Sequence, residues 1–247
     1  MNLIIDIGNT LIKMAVFDGQ RLVCEKSTER LLGAMLDELS TTYGQIDSAI
    51  VCSTRGDVPE VVELVRPRVK RLVEFSPGVR VPIANAYLSP QTLGCDRLAA
   101  AVGAVALYPG RNVLIVDFGT AVTIDLVTAD ATYRGGCISP GVQTRFRALH
   151  DYTATLPLCR ATDEEGLQGL TTRQAIELGV MNSVSFEIEG YISRMQEQIG
   201  DLCVIFTGGD ANLFVKRIKN TIFANCNLVF CGLNRILEYN ASEEPHS

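Results

Sequence analysis

The residues best placed to do chemistry occur in two nearly matching turns. Asp6-Ile7-Gly8-Asn9-Thr10 follows the apolar run Leu3-Ile4-Ile5, and Asp117-Phe118-Gly119-Thr120 follows Val113-Leu114-Ile115-Val116. In each, a strand-like run ends in Asp-x-Gly with a Thr close behind, and a second β-rich stretch follows, Leu11 to Phe17 and Ala121 to Val127. A glycine turn lets backbone approach a phosphate, successive N–H groups form an anion-binding concavity, and Thr hydroxyls donate further bonds. The acid can reach a metal directly or through water, as Mg²⁺ prefers. Lys13, on the strand leaving the first turn, can meet a phosphate oxygen. A lone Asp-x-Gly-x-Thr is also an ordinary tight turn. Two at matching places point to related half-domains closing on one nucleotide.

Two other segments carry candidate groups. Phe206-Thr207-Gly208-Gly209-Asp210 joins a strand to a helix, where two glycines allow a flat ligand such as adenine to lie on the backbone and Asp210 can cap the helix. Gly94-Cys95-Asp96-Arg97 opens an alanine-rich helix. An acid beside an arginine there is often a cap with a surface ion pair. Its chemical reading makes Asp96 a general base and Arg97 an anion clamp. A carboxylate of ordinary acidity suffices for phosphoryl transfer to an alcohol, because in a loose transition state the base mainly orients the hydroxyl and takes its proton late. Neither G-x-x-x-x-G-K-[ST] nor a G-x-G-x-x-G after the first strand occurs, which excludes a P-loop and a Rossmann fingerprint.

The elements that must position these groups alternate between strand and helix. In the first half, Leu3 to Asp6 is a strand, and Lys13 to Phe17 and Gln20 to Glu25 form a hairpin around Asp18-Gly19. Ser27-Thr28 caps a helix carrying Leu31, Leu32, Met35, Leu36 and Leu39. A strand over 47–52, a helix over 58–69 broken by Pro67, a short strand over 72–75 and a Pro-rich loop follow. The small-residue helix over 96–107 is expected to lie against another element. The second half repeats the order, with strands over 112–117 and 123–128 and a loop at Ile138-Ser139-Pro140-Gly141-Val142 leading into a helix. A long helix over 171–200, capped at Thr171 or Thr172, comes next. A strand over 203–206, a helix over 211–218, a strand over 228–231 and a terminal helix through Leu237 complete the chain. The class is α/β with a mixed sheet in each of two lobes, residues 1–110 and 111–247.

Composition narrows the function. The 247 residues are 47% apolar and 20% charged, so a well-buried core forms easily. A net charge of −6 argues against nucleic acid or an anionic membrane as the main partner. No 18-residue apolar run appears and the chain opens directly into a strand, so a cytoplasmic protein is expected. The eight cysteines lack C-x-x-C pairs and read as reduced, mostly buried thiols; with His150 and His246 the only histidines, zinc chemistry or a Ser-His-Asp triad has little to draw on.

The ordered set Asp6-Ile7-Gly8-Asn9-Thr10-Leu11-Ile12-Lys13, Tyr87 seven residues before Gly94-Cys95-Asp96-Arg97, Asp117-Phe118-Gly119-Thr120-Ala121-Val122-Thr123, Gly135 to Gly141, Thr171-Thr172 and Thr207 to Asp210 resembles the type III pantothenate kinases. These belong to the actin-like ATPase superfamily of duplicated ribonuclease H-like lobes, shared with sugar kinases and heat-shock chaperones. The resemblance implies ATP-dependent phosphorylation of pantothenate to 4′-phosphopantothenate, the first step toward coenzyme A, by a homodimer. It implies that Asp6, Ile7, Gly8, Asn9, Thr10, Leu11, Ile12 and Lys13 bind the ATP phosphates, with Asp6 holding Mg²⁺ through water. Tyr87, Gly94, Cys95, Asp96, Arg97 and Thr172 bind pantothenate, with Asp96 the proton acceptor. Asp117 holds a monovalent cation (K⁺ or NH₄⁺), Thr120 contacts ATP, and Gly208 and Gly209 lie near adenosine. Val122 departs from the family, whose second turn often has Thr there. A kinase of another alcohol, such as a sugar, and a non-catalytic nucleotide-binding regulator are the alternatives.

Overall fold

A computed structural model describes residues 1–55, 58–220 and 222–241; His246 and the rest of positions 242–247 lie outside the described residues. In chain order the strands and helices are β1 (Asn2–Ile7), β2 (Ile12–Asp18), β3 (Arg21–Thr28), α1 (Gly33–Tyr43), β4 (Ser48–Ser53), α2 (Val58–Val65), β5 (Arg71–Glu74), β6 (Ala84–Asn85), α3 (Cys95–Leu107), β7 (Val113–Phe118), β8 (Ala121–Thr128), β9 (Thr132–Pro140), α4 (Val142–Asp151), α5 (Thr172–Ile199), β10 (Cys203–Thr207), α6 (Asn212–Val215), β11 (Ile222–Ala224) and α7 (Leu228–Ala241). They divide into two compact units. The first comprises Met1–Pro109, Ala131–Tyr133 and the segment from Asn227; the second comprises Gly110–Asp130 and Arg134–Cys226.

The first unit is built on the sheet β3-β2-β1-β4-β5. The hairpin forms at Asp18-Gly19 as its turn chemistry predicts, β1 and β2 pair antiparallel, and β4 and β5 continue in parallel with β1. Leu3, Ile5, Ile7, Val16, Val51 and Val65 are among the residues that close its core. A parallel bridge of Ala84 and Asn85 with Thr132 and Tyr133 fixes the chain leading to Tyr87.

Helix α3 packs on α7, and small residues explain how. A Cβ on Gly103 would run into the Leu228 carbonyl, and one on Gly232 into the Ala99 carbonyl, so the two backbones touch where side chains would hold them apart. The expected strand over 228–231 is therefore wrong: Leu228 to Ala241 is one helix. Its start is apolar because Leu228, Phe230, Gly232 and Leu233 are buried, and a short apolar run has no period that separates strand from helix. The strand the structure shows in this region, Ile222–Ala224, was not expected. Ser27 and Thr28 likewise do not cap a helix. They end β3, and α1 begins at Gly33 after Leu32, while the Thr28 hydroxyl accepts the Arg30 N–H.

The second unit repeats the topology of the first, with strands β9-β8-β7-β10-β11 standing where β3-β2-β1-β4-β5 stand. β7 pairs antiparallel with β8 and parallel with β10, as β1 does with β2 and β4. Asp6 and Asp117 are each the penultimate residue of the first strand of their unit, so the repeat in sequence is a repeat in structure. Leu114, Val116, Phe118, Phe206 and Phe214 sit in the core with Met181, Val184 and Ile188 of α5. The stretch Ile138 to Pro140 is strand rather than loop, the end of β9, and only Gly141 separates it from α4. The helix expected over 211–218 shortens to Asn212–Val215. No described helix is long and apolar enough to cross a membrane.

Candidate active site

The first turn follows directly from β1. The Gly8 N–H donates to the Leu11 carbonyl at 3.0 Å, closing the turn and leaving Asn9 and Thr10 exposed at its tip. Asp6 stands opposite Lys13 across the β1–β2 hairpin and beside Cys52 on β4. Its Oδ1 is enclosed and accepts no hydrogen bond. Burial first, and the negative charge of Asp96 second, raise its pKa from 3.8 to about 6, against the pull of Lys13. An enclosed carboxylate oxygen without a partner, pressed by a like charge, is a position that a cation stabilises. Ile7 and Ile12 turn their side chains into the core, so of the predicted ATP-binding stretch they can offer only backbone.

Asp96 occupies the first turn of α3, and its Oδ1 accepts the Arg97 N–H at 2.8 Å. This bond folds the carboxylate back over Gly94, where an added Cβ would come within 2.5 Å of Oδ1. Glycine at 94 is thus required by the acid two residues on. Arg97 is buried, with its guanidinium carbon 5.8 Å from the Tyr87 ring centre. Tyr87 tilts against the fully buried Tyr133, their centres 6.1 Å apart. The neighbouring Cys95 first, and burial second, push the Cys52 thiol well above its ordinary value, and the same pairing lowers Cys95.

The second unit shows a matching arrangement around Asp117, which pairs in register with Thr123 and Thr207. The Gly119 N–H donates to the Ala121 carbonyl at 3.1 Å, and the Thr120 carbonyl accepts both the Gly141 N–H at 3.0 Å and the Thr144 hydroxyl at 2.7 Å. Thr120 is exposed at the tip. Gly208 has φ +90°, and a Cβ there would strike the Asp117 carboxylate and come 2.6 Å from the Phe118 nitrogen and oxygen. The Asp210 N–H donates to the Phe118 carbonyl at 3.1 Å, so the loop from Thr207 wraps the end of β7 and brings Gly208 onto Asp117. Asp210 does not cap a helix as expected; α6 follows Ala211 with no side-chain cap, and burial raises the Asp210 pKa. Val122 is buried in the core, so its departure from Thr removes no outward hydroxyl. Thr172 is the exposed first residue of α5, and the cap is Thr171, whose hydroxyl accepts the Gln174 N–H at 3.2 Å.

The predicted residues therefore fall into groups. Asp6, Lys13, Asp96 and Cys95 meet in the first unit, with Tyr87 and Arg97 stacked there. Asp117 and Gly208 meet in the second, with Thr120 and Gly209 exposed beside them. Sequence reasoning gave no role to Cys52, Tyr133 or Thr144, and held Gly141 only as part of a motif. Cys52 ends a buried-strand run and Tyr133 starts one, so each reads as core, and only the fold brings them to functional neighbours.

Comparison with known proteins is consistent with this geometry. A profile described as type III pantothenate kinase matches residues 2–194. A type III pantothenate kinase from Phocaeicola vulgatus is 43% identical over 251 residues, covering 97% of this chain and 99% of that one. Among solved structures, the activator of the 2-hydroxyisocaproyl-CoA dehydratase from Clostridium difficile, with bound ADPNP, gives a TM-score of 0.54 at 14% identity, covering 100% of this chain and 99% of its own. A protein from Sinorhizobium meliloti described as a candidate 2-dehydro-3-deoxygalactonokinase gives 0.62 at 12% identity, covering 97% and 99%. These two identities speak to fold alone, and the fold is that of the actin-like ATPases and sugar kinases.

Proposed function

The chain belongs to the type III pantothenate kinase family, and we propose that it works through the carboxylates its first unit gathers at Asp6 and Asp96. It is a kinase that phosphorylates pantothenate with ATP, in the biosynthesis of coenzyme A. The observation that carries the residue assignment is the enclosed, unpartnered Oδ1 of Asp6, set close enough to Asp96 for the two charges to oppose each other.

Phosphoryl transfer asks the protein for position and charge more than for covalent chemistry. Asp96 orients the primary hydroxyl of pantothenate and accepts its proton, with the Arg97 N–H holding the carboxylate in one rotamer. Arg97 over the Tyr87 ring, with Tyr87 tilted against Tyr133, and Gly94 and Cys95 beside them receive pantothenate; Thr172 is assigned to pantothenate by resemblance to the family. The first turn, from Asp6 to Lys13, receives the ATP phosphates through its backbone N–H groups and the Lys13 ammonium. Thr120 of the second turn, and Gly208 and Gly209 after β10, are assigned to ATP by resemblance to the family.

The residues fit Mg²⁺ near Asp6. Mg²⁺ takes one or two carboxylates and keeps its waters and the substrate phosphates, and Asp6 offers it an enclosed oxygen that accepts no hydrogen bond. Bound there, Mg²⁺ supplies positive charge that neutralises the phosphoryl oxygens. Asp117, pressed against Gly208 with carbonyl oxygens at hand, is the place for the monovalent cation, K⁺ or NH₄⁺.

The repeated topology supports a division near residue 110 into two actin-like lobes. Exposed apolar side chains in the second unit, Ile138, Leu170 and Phe186 among them, support a homodimer formed there. Eight free cysteines suit a reducing cytoplasm. A coupled assay of ADP release tests the function: release with ATP and Mg²⁺ should depend on added pantothenate and yield 4′-phosphopantothenate. ATP consumption indifferent to pantothenate would contradict it.

A further inference from the structure

The carbonyl oxygens of the second turn are drawn inward, away from its exposed tip. A turn that receives phosphate presents N–H groups and hydroxyls, and a carbonyl oxygen aimed at the same place would repel the anion. Here the Phe118 carbonyl accepts the Asp210 N–H at 3.1 Å, and the Ala121 carbonyl accepts the Gly119 N–H at 3.1 Å. The Gly119 carbonyl lies against Gly141, where an added Cβ would come within 2.1 Å of it. The Thr120 carbonyl, at the tip, is held twice: by the Gly141 N–H at 3.0 Å and by the Thr144 hydroxyl at 2.7 Å.

Thr144 sits in the first turn of α4, and its hydroxyl bonds out of the helix to the Thr120 carbonyl rather than back to its own preceding turn, as helical threonines often do. The helix end that carries it is braced. The half-buried Arg145 guanidinium donates to the Pro140 carbonyl at 2.8 Å, to the Ser183 hydroxyl at 3.0 Å, to the Ser139 hydroxyl at 3.3 Å and to the Glu187 carboxylate. The end of β9, the start of α4 and the middle of α5 thus form one support, and Gly141 and Thr144 carry it to the back of the turn.

We propose that Thr144 is a positioning residue for ATP: its hydroxyl, set on the Arg145 brace, holds the Thr120 carbonyl away from the phosphates and keeps the second turn in its receiving form. It acts through the Thr120 peptide. Without the hydroxyl, one of the two bonds to that oxygen is lost, and the Thr120–Ala121 peptide is freer to swing its oxygen outward. A form of the turn that repels phosphate then competes, and the apparent affinity falls with the fraction that remains receptive. The ordinary worth of one hydrogen bond limits that fall to about tenfold. The inference rests on the assignment of the second turn to ATP. Pantothenate, assigned mainly to Tyr87 and Arg97 in the first unit, is the internal control.

The test compares Thr144→Val, which keeps the shape without the hydroxyl, with Thr144→Ser, which keeps the hydroxyl, in the full-length protein. In the Val variant KM for ATP should rise about three- to tenfold, while kcat and KM for pantothenate stay within about twofold of the parent. The Ser variant should restore the KM for ATP. Calorimetry with Mg²⁺ and the non-hydrolysable analogue ADPNP, without pantothenate, should show the same loss and the same recovery. Thr144→Ala serves if the Val variant does not fold. Parental nucleotide affinity in the variant lacking the hydroxyl overturns the proposal, as does an equal rise in both KM values or a Ser variant as weak as the Val variant. A parent without pantothenate-dependent turnover counts against the functional reading, while calorimetry still decides the role of Thr144. A parent that binds no ADPNP overturns both.

Discussion

Replacing Asp6 by Asn should make the metal-free protein more stable and the enzyme inactive, and the two effects come from one cause. Folding raises the Asp6 pKa from 3.8 to about 6, through burial and the neighbouring Asp96. The folded chain therefore holds this proton more tightly than the unfolded chain. Its stabilising contribution is complete below pH ~4 and is lost as pH rises through about 6. At ~1.36 kcal/mol per pH unit, the ionised carboxylate at pH 8 costs the fold about 3 kcal/mol. Asparagine keeps the shape without the charge; allowing about 1 kcal/mol for an imperfectly bonded amide leaves a gain of about 2 kcal/mol. At ~2–4 °C per kcal/mol for a chain of this size, Asp6→Asn should melt about 4–8 °C higher than the parent at pH 8. At pH 5 the parent carboxyl is mostly protonated and the gap should nearly close. Thermal unfolding in chelator at both pH values reads this directly. A variant that melts lower at pH 8, or a gap of equal size at both, would refute the reasoning. Mg²⁺ with a nucleotide should then raise the melting temperature of the parent more than that of the variant.

Gly94→Ala places a methyl 2.5 Å from the Asp96 Oδ1, so steady-state kinetics should show kcat/KM for pantothenate falling by roughly a hundredfold while nucleotide affinity is unchanged. Gly208→Ala forces a side chain into a left-handed φ of +90° and against the Asp117 carboxylate; the cost is about 1–3 kcal/mol, seen as a lower melting temperature together with weaker ATP binding by calorimetry. Exchanging K⁺ for Na⁺ should depress turnover in the coupled assay, and indifference to the exchange would remove the cation role given to Asp117.

The twin turns were legible because they are local: a buried strand, an acid, a glycine and a hydroxyl lie within a few residues, and the fold repeats them at the penultimate position of β1 and of β7. The Gly94-x-Asp96-Arg97 spacing was legible for the same reason, since the carboxylate that needs the glycine is two residues away. Features set by tertiary packing were not. The apolar start of α7 reads as a strand because α3 covers it on the side where polar residues would have marked a helix. Ser27 and Thr28 carry cap chemistry, yet strand pairing with Lys13 and Ile12 claims their backbone. The seat of Tyr87 on Tyr133 joins segments far apart in sequence, so no local pattern could announce it.

The measurement that bears most directly on the account is the turnover of Asp96→Asn alongside its affinity for ATP. With the asparagine keeping the shape of the first turn of α3, ATP should bind as in the parent while phosphorylation of pantothenate slows by roughly two to four orders of magnitude. Turnover within a few-fold of the parent, with the protein folded and saturated in both substrates, would contradict the assignment of that carboxylate as the group that takes the alcohol's proton.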